Sequence, residues 1–487
     1  MVRRSFVFAL ADKLSVVVMS LLTMAIVSRI LTPAEVGLFL VASTIVILIE
    51  AFRDFGIGTF LIREPDLPER LVRTAVTIIG AMSLTLGALA VIGAQGIARF
   101  YGDTDLTDLI RIAALAFVVA PISTPLLALL RRDMRFGAVA AISVAAGFAN
   151  ATATIGLALA GFGPFSLVWG SVLAACVTAI GAMISRPVWW IFRPTLRDWR
   201  LVVPFGAWSS IVTLLGMLFD AFPRLILGRV LGFGAVGLFA RAISLSQLPD
   251  RLILSAVQPV LLPALASHAR GNGALKAPLL MGLSYISGLQ WPALAMIAVL
   301  ADPIVRLLLG PQWLEVVPLV RIVALAFFCV FPIYLCYPVL VTLGRVRDMA
   351  VAMMIALPPC FAIMLGASTF GLHAMALSLF LTGPLQVITL LIFVRRQVPF
   401  ALSELGEVLV CSAGVTLATL ALPGVVVLAV GSWGALGVTS TVLAVLGAAI
   451  GWVVGLFALR HPLSQELGAA RAFLRARLPL IRWARQP

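Results

Sequence analysis

Charged side chains are scarce in this sequence, and their scarcity excludes most soluble proteins. Only 11% of the 487 residues are Asp, Glu, Lys or Arg, whereas 62% are hydrophobic. A soluble domain carries about 25% charged residues. The mean hydropathy of +1.13 points the same way. Most of this chain is therefore expected to lie in lipid.

Residues that bind metals or take part in redox chemistry are also few. The three histidines, at 268, 373 and 461, are scattered, and the sequence has no C-x-x-C. We therefore expect no metal site and no cofactor, and we interpret the cysteines as buried free thiols. The five cysteines are Cys176, Cys329, Cys336, Cys360 and Cys411.

Nucleotide-binding motifs are absent or out of context. No G-x-x-x-x-G-K-[ST] occurs, so nothing indicates an ATP-driven engine. Residues 232–237, GFGAVG, fit G-x-G-x-x-G. A dinucleotide site needs a strand before this motif and a soluble βαβ unit around it. Here it lies between two apolar runs and predicts a short turn.

Long apolar runs are what the sequence has in abundance. A membrane-spanning helix needs about 20 mostly apolar residues. The runs reach that length and do not alternate, which favours helices over strands. We predict fourteen spans: 6–28, 36–61, 74–94, 110–130, 138–160, 164–185, 202–228, 235–262, 277–300, 319–343, 349–370, 371–394, 405–430 and 435–459. Because the first run is long enough to cross a membrane, we interpret it as a retained helix, not a cleaved signal peptide.

Basic residues predict the orientation in the membrane. Of the 35 Lys and Arg residues, 24 lie at the N-terminus, in even-numbered connections or in the tail after residue 459. Only six lie in odd-numbered connections, if Arg111 and Arg321 at the very start of the following spans are counted there. The positive-inside rule then places both termini in the cytoplasm. The same distribution explains the net charge of +15, because basic residues at the cytoplasmic face are expected to contact anionic lipid headgroups and not nucleic acid. The basic tail 460–487 is predicted to be an amphipathic helix on the cytoplasmic leaflet.

An internal repeat of about 200 residues is visible in two pairs of segments. SRILTPAEVGLF at 28–39 recurs as GRVLGFGAVGLF at 228–239, and IRIAALAF at 110–117 recurs as VRIVALAF at 320–327. Six predicted spans separate the copies, so the two halves run in the same direction. Parallel repeats of this kind are related by an axis along the membrane normal.

The repeat predicts an all-α membrane protein of two facing lobes. We expect a six-helix lobe at 1–198, a second at 199–398, two additional helices at 399–459 and the tail. Two lobes that rock against each other match an alternating-access transporter. An old duplication kept only for stability is the alternative.

Charges inside predicted spans are the candidate functional residues, because they are costly in lipid. Charges that lie more than three residues from either end of a span occur only in the first two spans of a lobe. The basic ones are Lys13, Arg53, Arg224, Arg241 and Arg251. The acidic ones are Asp12, Glu50, Asp54, Asp220 and Asp250.

The depth of these charges predicts two clusters. At about 1.5 Å of rise per residue, spans 1 and 2 give an inner cluster, and Asp220 with Arg241 gives an outer one. We expect these acids and bases to pair and to act as gates. Ion pairs that merely hold helices together are the alternative. Guanidinium groups suit phosphate oxygens, so a basic cleft favours an anionic headgroup as substrate.

Several segments resemble a known family. The sequence resembles polysaccharide exporters of the PST type, in the MOP superfamily, at FALADKLSVVVMSLLTMAIVSRILTPAEVGLF, FRDFGIGTFLI, ALLRRDMRFGAVAAI, FDAFPRLILGRVLGFGAVGLFARAISLSQLP and LLGPQWLEVVPLVRIVALAF. Members of this group include Wzx-like flippases of bacterial inner membranes. The resemblance matches the family's acidic residue of span 1 to Asp12, its aspartate of span 7 to Asp220 and its arginine of span 8 to Arg241.

The resemblance implies a function as well as a fold. It implies transfer of an undecaprenyl-diphosphate-linked oligosaccharide from cytoplasm to periplasm, for lipopolysaccharide or exopolysaccharide biosynthesis, and no enzymatic activity. Expected partners are this lipid, membrane lipids, a coupling cation (H⁺ or Na⁺) and polysaccharide assembly proteins. A cation-coupled multidrug exporter of the MATE type is the first alternative, and a membrane enzyme of the same pathway is the second.

Overall fold

The computed structural model describes residues 18–54, 57–64, 66–197, 207–251, 275–430 and 437–466. Within these ranges the ordered elements are α-helices and short 3₁₀ turns, without strands. In this described part of the chain, eleven helical segments are long and apolar enough to cross a membrane. The prediction of an all-α, multi-pass membrane protein is confirmed.

The helices follow the predicted spans closely. In the first half they are α1 (Val18–Ile30), α2 (Pro33–Asp54), α3 (Ile57–Arg63), α4 (Glu69–Tyr101), α5 (Asp105–Ala113), α6 (Ala116–Arg132), α7 (Phe136–Leu159) and α8 (Phe165–Ser185). In the second half they are α9 (Ala207–Val230), α10 (Phe233–Ser246), α11 (Lys276–Val299), α12 (Ala301–Leu308), α13 (Val316–Ala326), α14 (Ile333–Thr342), α15 (Val346–Ser368), α16 (Leu372–Leu377), α17 (Leu379–Gln397), α18 (Leu402–Val430) and α19 (Val438–Ala458).

The exact number of spans stays a prediction. The eleven segments correspond to eleven of the predicted fourteen. The other three correspond to α1, α9 and α10; α1 and α9 adjoin residues outside the described ranges, and such residues follow α10 from 252 onward. The predicted tail helix also lies outside them from residue 467 onward.

Local sequence explains where the functional helices begin. Thr32 and Glu35 form a capping box at the start of α2: the amide of Thr32 donates to Glu35 Oε2 at 2.8 Å, and the amide of Glu35 donates to Thr32 Oγ1 at 3.3 Å. Pro33 occupies the first helical position, where its missing N–H costs nothing. The second copy of the repeat has no such box, and α10 instead follows Gly232, whose φ is +85°.

The chain divides into two compact units. Among the described residues, unit 1 contains those up to Ala242, Val305–Leu319 and Val346–Gln386. Its core packs α3, α4, α6, α7 and α8 around fully buried apolar side chains such as Leu61, Ile79 and Ile191. The predicted lobe boundaries at residues 198 and 398 stay predictions.

Unit 2 contains Ile243–Ile304, Val320–Arg345 and the residues from Val387 onward. In this unit α18 and α19 pack closely because Gly447, Gly451 and Gly455 lie on one face of α19. A Cβ on Gly451 would overlap the carbonyl oxygen of Ala418 on α18. Small residues at this spacing let helix backbones approach each other in lipid.

Candidate functional site

The inner charged cluster is described only in part. Asp12 and Lys13 lie outside the described residues, and so does the side chain of Asp54. The remaining pair is formed: Arg53 Nη1 lies 3.3 Å from Glu50 Oε1, one turn earlier on α2. This pairing agrees with the expectation that buried charges are partnered.

Arg53 is the most deeply buried of the predicted basic residues in the described part of the chain, at 5% exposure. Its guanidinium lies 5.8 Å from the ring centre of Phe117 on α6. The ring supplies cation–π attraction in addition to the Glu50 carboxylate. Arg53 is therefore held between two helices of unit 1 in a fixed position.

The predicted outer pair of Asp220 and Arg241 is not formed, which corrects the expectation. No hydrogen bond or ion pair joins the two side chains in the described residues. Asp220 instead interacts electrostatically with Arg224, one turn further along the same helix α9. Arg241 on α10 is directed to an aromatic ring.

Arg241 stacks on Trp313. Its guanidinium carbon lies 5.5 Å from the centre of the indole ring. Trp313 is fully buried, and its Nε1 donates a hydrogen bond of 2.6 Å to the carbonyl oxygen of Ser28. The side chain of Gln312 donates to the same oxygen. The ring beneath Arg241 is thus fixed in place by the end of α1.

The guanidinium of Arg241 makes no polar contact with the described residues. Its Nε is buried without a hydrogen-bond acceptor, and no carboxylate lies within ion-pair distance. A partly buried cation without a carboxylate partner is costly in lipid. Such a group is suited to bind an anion that arrives from elsewhere.

The two copies of the repeat meet at a reciprocal contact in unit 1. A Cβ on Gly37 would overlap the carbonyl oxygen of Phe233, and a Cβ on Gly237 would overlap that of Pro33. Residues 33 and 37 match 233 and 237 at the repeat distance. A contact of i with j and of j with i is what a two-fold axis produces. We name this contact, together with Trp313 and Ser28, the Thr32 junction, after the capping residue between α1 and α2.

Further hydrogen bonds lie at the same end of these helices. The Tyr101 hydroxyl at the end of α4 donates to the carbonyl of Leu225 on α9 at 3.1 Å. Arg29 at the end of α1 donates to the carbonyl of Leu307 at 2.8 Å. Within unit 1, α1, α2 and the end of α4 are thus joined to α9, α10 and the segment 307–313 at the end where α1 passes into α2.

Asp250 and Arg251 have separate environments in unit 2. Arg251 is exposed. Asp250 is only 5% exposed and accepts hydrogen bonds from Gln290 Nε2 on α11 and, at 2.8 Å, from the Tyr334 hydroxyl on α14. Both partners are neutral. Asp250 is therefore not part of an ion pair within the described residues.

Sequence reasoning missed Arg321. The structure begins this span at Val316 and the matching one at Asp105, so Arg321 and its repeat equivalent Arg111 lie inside apolar helices. Arg111 is paired with Asp108 at 3.5 Å. The signal was available, because both arginines are identical positions of the echo IRIAALAF and VRIVALAF.

Arg321 lines a cavity of about 560 Å³ in unit 2. The walls come from α11, α13 and α18 and are otherwise almost entirely apolar. The lining includes Trp291, Val299, Leu325, Phe328, Thr416 and Leu420. Trp291 Nε1 donates to the carbonyl of Phe328 at 2.7 Å, which fixes one wall. A single cation in an apolar cavity is suited to an amphipathic anion.

Comparison with known proteins places the chain in a family. A family model described as "Polysaccharide biosynthesis protein" matches residues 26–318. The chain belongs to this family. The matched range contains Arg53, Arg241 and Trp313.

Relatives in this group come from several bacteria. The chain is 26% identical over 315 residues to the lipopolysaccharide biosynthesis protein WzxC of Escherichia coli (strain K12), covering 62% of each chain. It is 24% identical over 282 residues to the teichuronic acid biosynthesis protein TuaB of Bacillus subtilis (strain 168), covering 56% of this chain and 57% of TuaB. It is 24% identical over 330 residues to the succinoglycan biosynthesis transport protein ExoT of Rhizobium meliloti (strain 1021), covering 67% of this chain and 66% of ExoT. The matches to WzxC and TuaB thus span about three fifths of those relatives.

Solved structures show the same fold. The lipid II flippase MurJ in an inward closed conformation matches with a TM-score of 0.75 at 12% identity, covering 93% of this chain and 99% of MurJ. An inward-facing multidrug resistance MATE transporter of the MOP superfamily matches with a TM-score of 0.63 at 15% identity, covering 81% and 98%. The predicted resemblance to PST exporters and the MOP-type fold are confirmed.

Proposed function

We propose that this protein is an alternating-access flippase. It moves undecaprenyl-diphosphate-linked oligosaccharide from the cytoplasmic to the periplasmic leaflet of a bacterial inner membrane, for lipopolysaccharide or exopolysaccharide biosynthesis. The observation that carries the proposal is Arg241, a partly buried guanidinium stacked on Trp313 without a carboxylate partner in the described residues.

A diphosphate supplies the negative charge and the hydrogen-bond acceptors that the Arg241 guanidinium lacks among the described residues. The planar fork of guanidinium N–H groups matches phosphate oxygens, and charge-assisted hydrogen bonds of this kind are stronger than neutral ones. Stacking on the indole fixes the plane of the guanidinium before the substrate arrives, so less side-chain entropy is lost on binding. A cationic drug would be repelled at this position.

Unit 2 by itself contains a surface suited to the lipid part of such a substrate. The cavity at Arg321 combines one cation with apolar walls contributed by Trp291, Leu325 and Phe328. A polyprenyl phosphate carries the same combination of an apolar chain and an anionic head. The relatives named for lipopolysaccharide, teichuronic acid and succinoglycan biosynthesis all belong to pathways that build polysaccharides, which favours this substrate class.

The Thr32 junction supports alternating access. With both termini in the cytoplasm, the junction lies at the periplasmic end of the helices. The backbone contacts at Gly37 and Gly237 then hold this end closed, and they must separate for release. A membrane potential that is negative inside favours export of the anion by about 2.3 kcal/mol per charge per 100 mV.

Partners follow from the same proposal. The substrate is delivered within the membrane, so membrane lipids surround the protein, and polysaccharide assembly proteins take the product on the periplasmic side. A coupling cation, H⁺ or Na⁺, completes the transport cycle. The chain itself carries out no bond-making step in this scheme.

Deletion of the gene in its native host tests the proposal in cells. We expect the surface polysaccharide to disappear. The lipid-linked oligosaccharide should accumulate in the cytoplasmic leaflet, where only enzymes on the cytoplasmic side reach it. Expression of the wild-type chain restores both, and a chain with Arg241→Glu does not. Normal surface polysaccharide in the deletion strain contradicts the proposal.

A further inference from the structure

Asp250 is a buried acid whose environment differs from that of its repeat equivalent. Glu50 and Asp250 occupy matching positions 200 residues apart. Glu50 pairs with Arg53 within its own helix. The position that matches Arg53 is Ile253. The second half of the repeat has therefore kept the acid and lacks the base.

Among the described residues, no charged group contacts the Asp250 carboxyl. Its partners are the amide of Gln290 and the hydroxyl of Tyr334. Lys276 and Tyr285 on α11, Tyr337 on α14 and the neighbouring Arg251 make no hydrogen bond or ion pair with it in the described residues. Of the titratable groups in the described part of the chain, Tyr334 alone hydrogen-bonds to the carboxyl.

An ionised carboxylate in such a place is costly. A buried charge must be paired, or the group neutralises by taking up a proton. Asp250 is 5% exposed in a chain whose surroundings are lipid. Its two neutral hydrogen bonds offset only part of the desolvation cost.

Gln290 provides a second, independent observation. Its side chain is fully buried, and its Oε1 has no hydrogen-bond partner among the described residues. A buried amide oxygen without a donor is unusual. Rotation of the amide exchanges its oxygen and nitrogen with almost no change of shape. The oxygen then faces Asp250 and accepts a hydrogen bond from a protonated carboxyl.

We infer that Asp250, Gln290 and Tyr334 form a reversible proton-binding site. In the protonated state the carboxyl O–H donates to Gln290 Oε1. On release the O–H bond breaks, its electron pair stays on the carboxylate, and the proton passes to water. Gln290 Nε2 and the Tyr334 hydroxyl then donate to the carboxylate, as the structure shows.

Coupling of this proton to transport rests on the proposed function. A change in the protonation of Asp250 changes its charge, and this stabilises the arrangement of the surrounding helices that accommodates the new charge better. A ligand shifts a conformational equilibrium only through such differential affinity. Sodium fits this site less well, because the three side chains offer four oxygens and hard cations take about six or more.

Infrared spectroscopy of the purified protein tests the site without any transport assay. A protonated carboxyl has a C=O stretching band that a carboxylate lacks, and the band shifts in D₂O. We expect the band at neutral pH in the wild type and its loss in Asp250→Asn. Asp302→Asn is the matched control, since Asp302 is also 5% exposed and lies in the same unit. A band of equal strength in Asp250→Asn overturns the inference.

A second variant covers the case in which Asp250→Asn does not fold. Tyr334→Phe removes a donor that stabilises the ionised form, so the band should persist to a higher pH than in the wild type. An unchanged titration in Tyr334→Phe contradicts the site. Thermal stabilisation by Na⁺ in the wild type but not in Asp250→Asn would show that the site binds sodium, and it would overturn the inference of a proton-binding site.

Transport measurements then separate this inference from the proposed function. In proteoliposomes with a fluorescent lipid-diphosphate sugar, a gradient of one pH unit should change the transbilayer distribution about tenfold if one proton moves per lipid. Asp250→Asn should abolish that response, and Asp302→Asn should keep it. Lipid transfer with no pH response in the wild type overturns the coupling but not the proposed function. No transfer of the lipid by the wild type overturns the proposed function, whereas the infrared band still decides the proton site.

Discussion

The guanidinium of Arg241 lies 5.5 Å from the ring centre of Trp313, whose Nε1 is in turn bonded to the carbonyl of Ser28. Three segments that are far apart in sequence therefore determine where one cation sits. The end of α1 fixes the indole, and the indole fixes the guanidinium. This chain of contacts links the proposed substrate-binding residue Arg241 to the Thr32 junction, so in the proposed mechanism substrate binding and opening involve the same residues.

Arg241→Ala should lower transport of a lipid-diphosphate sugar by about ten- to a hundredfold, because hydrogen bonds to a charged group contribute about 1.5–3 kcal/mol. Arg241→Lys should retain part of the activity, since an ammonium keeps the charge and loses the planar fork. Arg229→Ala is the matched control: Arg229 also stacks on a ring, 5.1 Å from Phe100, but is exposed. Equal losses in Arg229→Ala and Arg241→Ala count against a specific site.

Arg53→Ala should reduce polysaccharide export without reducing the amount of protein in the membrane. The change leaves Glu50 without its salt bridge and removes the cation above Phe117. A double variant, Arg53→Met with Glu50→Gln, removes both charges and so avoids an unpaired acid. If the role of the pair were only structural, the double variant would export normally, and that result refutes a role in loading.

Gly37→Ala and Gly237→Ala should each weaken the Thr32 junction, because the added methyl group overlaps the carbonyl oxygen of Phe233 or Pro33. Overpacking of this kind costs about 1–3 kcal/mol. A cysteine at Val36, which is 2% exposed, should then react faster with a membrane-impermeant thiol reagent in a background without native cysteines. Gly93→Ala is the control, since a methyl group there meets nothing within 4 Å. Unchanged labelling in both junction variants argues against a gate.

His461, which lies just beyond the end of α19, should make stability depend on pH. The ring is fully buried, and burial lowers the pKa of His461 below its usual 6.5. Its Nε2 lies 3.2 Å from Ser284 Oγ and 3.3 Å from Ser412 Oγ, and its Nδ1 accepts from the amide of Leu463. A second ring proton would face that amide, so the folded state favours the neutral ring.

The sign of this effect follows from proton binding. Below the unfolded pKa the unfolded chain binds a proton that the folded chain resists, so stability falls as the pH drops below about 6.5. The loss of melting temperature between about pH 7.5 and about pH 5.5 should be smaller in His461→Gln than in the wild type. His373→Gln, at an exposed histidine, should behave like the wild type. Identical losses in all three proteins contradict the assignment.

Sequence reasoning predicted the fold well because the helices are long, apolar and repeated. The echo at 28–39 and 228–239 indicated a two-fold relation, and the reciprocal contacts at Gly37 and Gly237 are its direct result. The relation was visible because both glycines recur at the same offset. The sequence did not reveal, however, that the backbones of the two copies touch at these glycines.

Partners of individual charges were predicted less well. The sequence indicated Asp220 as the partner of Arg241, but the indole of Trp313 occupies that place. Trp313 lies in the connection between two predicted spans, and nothing in the sequence shows which side chain its ring will face. Arg321 was missed because it is only the third residue of its predicted span, 319–343, and was taken as part of the preceding connection, whereas the structure begins that span at Val316. Gln290 was missed because an uncharged amide in an apolar helix gives no signal until its neighbour Asp250 is known.

The most direct test of the central claim is reconstitution of the purified protein in liposomes with two candidate substrates. One is a fluorescent undecaprenyl-diphosphate sugar, and the other is ethidium, which a multidrug exporter of the same fold would move. We predict that the wild type transfers the lipid between leaflets and leaves ethidium in place. A protein with Arg53→Glu and Arg241→Glu should transfer neither at the wild-type rate. Movement of ethidium by the wild type, with the lipid left in its original leaflet, would contradict the account.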